Sequence, residues 1–207
     1  MEQRPEEGTA EDLYKKILAD KNVRLNGKKE GKLSSEKIKD DEIPYDIPDT
    51  WKWVRFGHIM INRDAERIPL SVSERQNLEK KYDYYGASGV IDKVDRYLFD
   101  ETLLLIGEDG ANLLSRSTPI AYLAKGQYWV NNHAHVLDCN RQLLCLEYIM
   151  YFINAISLAP YVTGTAQPKM NQEKMNSIPI ALPPLEEQHR IVAKIEELLP
   201  YCDRLVK

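Results

Sequence analysis

Cysteine is scarce in this chain of 207 residues: Cys139, Cys145 and Cys202 are odd in number and form no Cys-x-x-Cys pair. They predict neither a disulfide framework nor a zinc site, and a reducing, cytoplasmic setting is the expectation. Long hydrophobic runs are missing too. The most apolar stretch, Leu143 to Leu158, is broken by Glu147 and Asn154 and is short for a membrane span. No apolar run follows Met1, which predicts no signal peptide. There is little excess charge of either sign: 28 Lys and Arg against 32 Asp and Glu leave a net charge of −4. Strong binding to a polyanion by the whole chain alone is therefore not expected. Catalytic signatures are absent as well. The sequence has no G-x-S-x-G, no P-loop, no G-x-G-x-x-G, no catalytic Cys–His pattern, and no Asp/Asn-Pro-Pro-aromatic tetrapeptide of the kind amino-methyltransferases use.

What is present is an ordinary globular composition, 43% apolar, at a length that predicts one domain with attachments. Residues 1–50 read as a charged helical arm. Thr9 is a candidate N-cap, Glu11 and Asp12 follow in the first turn, and Leu13, Ile17 and Leu18 recur at helical spacing until Asn26-Gly27. Lys15 to Lys39 holds nine basic and three acidic residues, a local excess of positive charge on a balanced chain. From Lys28 to Asp41 almost nothing is apolar, which predicts a mobile linker. Pro44 and Pro48 force extended backbone before the domain opens at Trp51.

Residues 51–183 carry a mixed α/β (α+β) pattern. Trp51, Trp53, Val54 and Phe56 suggest a short strand or a packed entry segment, and Thr102 to Ile106, ended by Gly107, a buried strand. Ile120 to Leu123 and Tyr128 to Val130, separated by Lys125-Gly126-Gln127, predict a hairpin, and Ala134 to Leu137 a further strand. Leu143 to Leu158 is the best helix of the domain, apolar all round and so buried.

Residues 184–207 give the clearest periodicity. Leu185, Gln188, Val192, Ile195, Leu199, Cys202 and Val206 follow alternating steps of three and four, flanked by Ile191, Leu198 and Leu205. This coiled-coil-type stripe needs another surface to cover it. It either folds back on its own domain or forms a seam for a partner helix. The rigid Pro183-Pro184 before it and its run to the last residue favour the seam. Pro200 should kink or restart the helix.

Candidate chemistry is thin. His133 and His135 share a strand face and, with Glu108 or Asp109, could form a metal centre, but no third ligand has supporting spacing. Hydrogen-bonding histidines and an acidic turn that caps backbone amides explain the same residues, so no metal site is expected. Three polar, glycine-punctuated stretches remain: Tyr84-Tyr85-Gly86-Ala87-Ser88-Gly89, Gly107-Glu108-Asp109-Gly110-Ala111-Asn112 and Thr163-Gly164-Thr165-Ala166-Gln167-Pro168-Lys169. Small residues let backbone approach a ligand, and Ser, Thr, Gln and Lys can hold phosphate oxygens. Each alone reads equally as a turn. Three of them without a catalytic group fit recognition better than chemistry.

Taken together, these stretches resemble the specificity (S) subunits of type I restriction-modification systems. The resemblance rests on Ile43-Pro44-Tyr45-Asp46-Ile47-Pro48-Asp49-Thr50-Trp51-Lys52-Trp53-Val54-Arg55-Phe56-Gly57, similar to the family's domain opening. It continues through Tyr84–Gly89, Gly107–Asn112, Trp129 to His135 and Gly164-Thr165-Ala166-Gln167. It ends on the junction Ile178 to Gln188, read as IPIALPPLEEQ. It implies a non-catalytic target recognition domain that reads one half of a split DNA sequence. It also implies a helix that docks methyltransferase (M) subunits, and a restriction (R) subunit that cleaves. S-adenosylmethionine would sit on the methyltransferase, so no cofactor is expected on this chain. There is room for one recognition domain and one short helix, about 35 Å after Pro184. The expected state is a half-subunit that pairs with a second S half or with itself, or part of a longer chain. The expected DNA-contacting residues are Arg63, Arg67, Arg75, Gln76, Asn77, Tyr84, Tyr85, Ser88, Asn112, Arg116, Thr163, Thr165, Gln167 and Lys169. A metal-dependent enzyme built on His133 and His135, or a pure interaction subunit, are the competing readings.

Overall fold

Residues 1–25 and 37–205 are described in the computed structural model. The linker predicted from Lys28 lies largely outside them, as does Val206. The N-terminal half contributes helix α1 (Ala10–Arg24), strand β1 (Lys52–Arg55), α2 (Phe56–Ile59), β2 (Ile61–Asn62), α3 (Val72–Gln76), β3 (Tyr82–Gly86), β4 (Gly89–Val94) and β5 (Phe99–Asp100). The remainder supplies β6 (Leu103–Gly107), α4 (Asn112–Ser115), β7 (Ala121–Ala124), β8 (Gln127–Val130), β9 (Ala134–Asp138), α5 (Leu146–Ala155), α6 (Gln172–Asn176), β10 (Pro179–Leu182) and α7 (Leu185–Leu205).

Side-chain alternation in β6 sets the layering. Leu104 and Ile106 share a core with Ile149 and Ile153 of α5 and Ile180 of β10, whereas Leu103 and Leu105 face Phe99, Tyr128 and Val130 of a second sheet. Both faces are covered, so the strand reads as a continuous apolar run rather than an alternating one. Its sheet has the order β2-β9-β6-β7 and the facing sheet the order β4-β3-β8-β5. Behind the second sheet, Tyr84, Val94 and Trp129 pack under Leu70 and Leu78. The predicted hairpin is corrected here. β7 pairs β6 in the first sheet, while β8 pairs β5 and, in parallel, β3 in the second. Two residues, Lys125-Gly126, thus carry the chain between layers. The buried helix is shorter than its apolar run, because Cys145 and Ile156 already have extended backbone.

The chain ends are closed by a two-stranded sheet in which β1 pairs β10 antiparallel, Trp53 opposite Ala181. Around it α7 acts as a clasp. The Glu187 carboxylate accepts hydrogen bonds from Trp51 Nε1 (2.8 Å) and Gln3 Nε2 (2.7 Å). Gln188 accepts from the Cys145 amide at the start of α5 and donates to the Pro183 carbonyl, both at 3.0 Å. Helix α1 does not project as a free arm. Thr9 caps it as expected, and its Ala10 and Ile17 are buried in the main core. Lys21 donates to the carbonyls of Gly57 and Met60, and Arg24 pairs with Asp138 at 2.9 Å.

The seam residues divide. Leu185, Ile191 and Val192 pack against the core of their own domain, which corrects their assignment to a partner surface. Ile195 is half-buried, whereas Leu198 and Leu199 are 47% and 43% exposed and Cys202 is exposed. Leu205 closes the helix. Pro200 does not end it, although the proline removes the hydrogen bond to the Glu196 carbonyl.

Arg55 is 4% exposed and makes a two-pronged ion pair with Glu42 at 2.7 and 2.8 Å. That pairing holds the Glu42 carboxyl down at about 2. A depressed carboxylate stabilises the fold above its ordinary range, and the contribution is lost as the pH falls towards about 2. Glu42→Gln should destabilise the protein by roughly 2–4 kcal/mol at neutral pH, because the buried guanidinium loses its countercharge. In urea titrations the gap between variant and wild type should close on acidification.

Candidate nucleic-acid interface

The three glycine-punctuated stretches converge at one end of the two sheets. Gly107 packs so closely on the β3–β4 turn that a Cβ there would sit 2.7 Å from the Ala87 carbonyl oxygen. The Glu108 amide donates to the His133 carbonyl (2.9 Å), and the Asn131 amide to Tyr85 (3.0 Å). Thr163 and Lys169 form a small hairpin through reciprocal 2.8 Å backbone bonds. Its turn needs the positive φ of Gly164, +83°. The hairpin is tied to the loop after β6 by Gly110 N to Pro168 O (2.9 Å) and Met170 N to Glu108 O (2.8 Å).

Beneath this surface lies a charge network. His135 Nδ1 is 2.7 Å from Asp64, and its Nε2 is 2.9 Å from the Met170 carbonyl. Arg67 donates to Glu108 (2.8 Å) and to the Ala134 carbonyl (2.7 Å), and Lys169 reaches Glu108 at 3.0 Å. Burial pushes the Asp64 carboxyl up, but the His135 hydrogen bond and nearby Arg67 outweigh it and hold the group below the usual carboxylate range. Glu108 behaves alike: burial raises it, and Arg67, His135 and Lys169 together bring it below normal.

The expected DNA-contacting residues separate into three groups. Gln76, Asn77, Ser88, Thr165 and Gln167 are exposed. Arg63 and Lys169 reach the surface but are ion-paired, respectively to Glu66 and Glu101 and to Glu108, whereas the Arg75 side chain is only 11% exposed, paired with Asp92, bonded to the Leu70 carbonyl at 3.2 Å and laid over the Tyr84 ring. Thr163 is exposed and hydrogen-bonds the Lys169 carbonyl, and half-buried Tyr85 stacks on Tyr122. The others are occupied by the fold. Tyr84 is 1% exposed, with its hydroxyl against the Leu70 backbone, so it cannot meet a duplex in this conformation. Arg116 caps the end of α5 through the carbonyls of Ile153, Asn154 and Ile156. Arg67 is spent within the network, and Asn112 locks its own turn through Ser117 and Thr118.

The metal alternative loses its geometry. His133 faces Asp109 at 2.8 Å while His135 faces Asp64, so the two rings serve different carboxylates. Asp64, Glu108 and His135 do lie close enough to hold an ion, but Arg67 and Lys169 already supply the positive charge. The Glu108 carboxylate meets Arg67 and Lys169, and that of Asp109 the His133 ring, rather than backbone amides. Sequence reading missed Asp64 as an organising residue. Its partner His135 lies 71 positions away, and no local pattern joins them.

This architecture, two stacked sheets with a helical layer and a projecting terminal helix, is that of type I S subunits. The S subunit from M. genitalium superposes with a TM-score of 0.59 at 14% identity, over 80% of this chain and 43% of that one. The HsdS subunit from Thermoanaerobacter tengcongensis gives 0.54 at 17% identity, over 94% and 47%. The chain belongs to the type I restriction modification DNA specificity domain family, which it matches over residues 48–207. The EcoEI specificity subunit of Escherichia coli is 27% identical over 98% of this chain and 38% of its own length. The chain thus spans less than half the length of these relatives. Among the described residues no helix is long and apolar enough to cross a membrane.

Gly107→Ala tests the convergence. It should cost about 1–3 kcal/mol in a denaturant titration. Amide exchange should quicken at Ala87–Gly89 and at the hairpin. An unchanged exchange pattern would separate the loops.

Proposed function

We propose that this chain is the DNA-reading portion of a type I specificity subunit. In this reading it recognises one half of a bipartite duplex target and positions adenine-methyltransferase and restriction subunits, which make and break the bonds. The family match over the recognition domain and its helix carries the reading. The exposed polar side chains of Gln76, Asn77, Ser88, Thr165 and Gln167 are the assigned base readers, since amides and hydroxyls make paired bonds to base edges. Arg63 and Lys169 are assigned to phosphates, exchanging a carboxylate for a phosphate oxygen on binding. Their internal neutralisation fits a net charge of −4 and implies weak duplex binding by the chain alone. The distal half of α7, with Leu198, Leu199 and Cys202, is assigned to the methyltransferase or to a second S half. The working complex belongs in the cytoplasm with its DNA.

The test is methylation mapping at base resolution with the chain assembled on its methyltransferase. A fixed half-target should appear that depends on this chain. Gln167→Ala should relax one base position at a cost of about 1–3 kcal/mol. Lys169→Ala should weaken every duplex alike and lower the salt slope by about one. Methyl transfer or strand cleavage by the isolated chain would overturn the reading.

A further inference from the structure

We infer that His135 is a positioning residue of the interface, a doubly protonated ring whose second proton latches the Thr163–Lys169 hairpin to the rest of the site. The inference rests on the DNA-reading function proposed above but makes its own demands.

His135 is 1% exposed, yet both ring nitrogens face acceptors. The Met170 carbonyl, 2.9 Å from Nε2, can only accept, so Nε2 carries hydrogen. Opposite Nδ1 stands Asp64, whose other oxygen accepts from the Val136 amide at 2.7 Å. The Val136 amide on one oxygen and the Arg67 guanidinium 3.5 Å from the other both favour the ionised carboxylate. Nδ1 therefore donates as well, and the ring is an imidazolium. Three segments meet on it: the turn after β2 through Asp64, β9 itself, and the base of the hairpin through Met170. The other charges facing the ring are Glu108, 3.8 Å from Nδ1, and Arg67, with Lys169 behind Glu108. The His133–Asp109 pair lies on the exposed side.

A neutral ring has one hydrogen for two acceptors. The bond to the Asp64 carboxylate is charge-assisted and the stronger, so Nδ1 keeps its hydrogen. Nε2 then turns a lone pair on the Met170 carbonyl. The hairpin loses that anchor, and exposed Thr165 and Gln167 lose their fixed placement. The latched form is the protonated one. Duplex affinity should therefore be full where the ring carries both protons and fall where it has lost one.

Two measurements decide this. Nitrogen-15 NMR of the full chain should show both His135 ring nitrogens protonated on the acid side, with the Thr163–Lys169 amides shifting as one proton leaves. A singly protonated ring there overturns the latch without reference to DNA. Duplex binding by the methyltransferase complex should weaken roughly tenfold once that proton has left, the size of one charge-assisted hydrogen bond. His135→Gln should bind weakly with a flat pH profile, and His133→Gln should keep the wild-type step. Asp64→Asn removes the partner charge at nearly constant shape. It should lose the acid-side affinity, which keeps the test decisive if His135→Gln fails to fold. A step that survives in both variants overturns the latch. A wild-type complex that binds no duplex at any pH overturns the DNA reading instead.

Discussion

Pairing of the first strand of the recognition domain with its last is the constraint on which the rest of the structure depends. β1 and β10 are separated by the entire domain, and their ladder sets where the chain enters and where α7 leaves. The clasp beside it uses buried polar groups. Glu187 holds Trp51 and Gln3, and Gln188 satisfies the first free amide of α5. A buried carboxylate is costly unless its bonds are complete, and this one accepts on both oxygens. Sliding the ladder by one residue would reverse the faces of both strands and leave Glu187 without Trp51. The clasp therefore specifies register more than it adds stability.

The same economy of charge governs the opposite end of the sheets. Loops rich in Gly, Ser and Thr fix little by themselves, because each residue can adopt many conformations. Here they are fixed from below by ion pairs whose members come from different segments: Asp64 after β2, Glu108 after β6, His135 in β9 and Lys169 on the hairpin. Such a network is expensive to desolvate and rigid once complete. It explains why so many basic side chains near the proposed interface are already neutralised. A duplex meeting this surface encounters preset hydrogen-bonding groups more than free positive charge. That arrangement favours discrimination between sequences over raw affinity.

Periodicity made much of this legible. The β6 run, the α1 cap at Thr9 and the stripe along α7 were readable, because each depends on neighbours within a few positions. So was the group of three polar stretches, though not their meeting, which depends on Gly107 touching Ala87 across two sheets. Long-range pairing was not legible. β7 and β8 have the spacing of a hairpin, yet their partners are β6 and β3, and two residues suffice to switch layers. Among the candidate readers, side-chain chemistry alone could not distinguish Arg116 from Arg63. One finds backbone carbonyls at the end of α5, and the other two surface carboxylates. Basic residues next to polar loops satisfy the same description whether they cap a helix or face solvent.

The division of α7 follows from the same physics. Its first two turns carry Glu187, Gln188 and Val192 into the domain, so the helix cannot rotate or translate without breaking the clasp. Beyond Ala193 only Ile195 stays half-buried among the described stripe residues, and Leu198 and Leu199 turn outward. A single α-helix is stiff over a few turns, and this one runs unbroken through Pro200. The orientation of the distal half is consequently inherited from the recognition domain. Whatever covers those leucines is held at a fixed angle to the three converging loops. Under the proposed function this is how a subunit without catalytic groups can aim a catalyst. The clasp at Glu187 is then the joint through which target recognition sets the position of the partner.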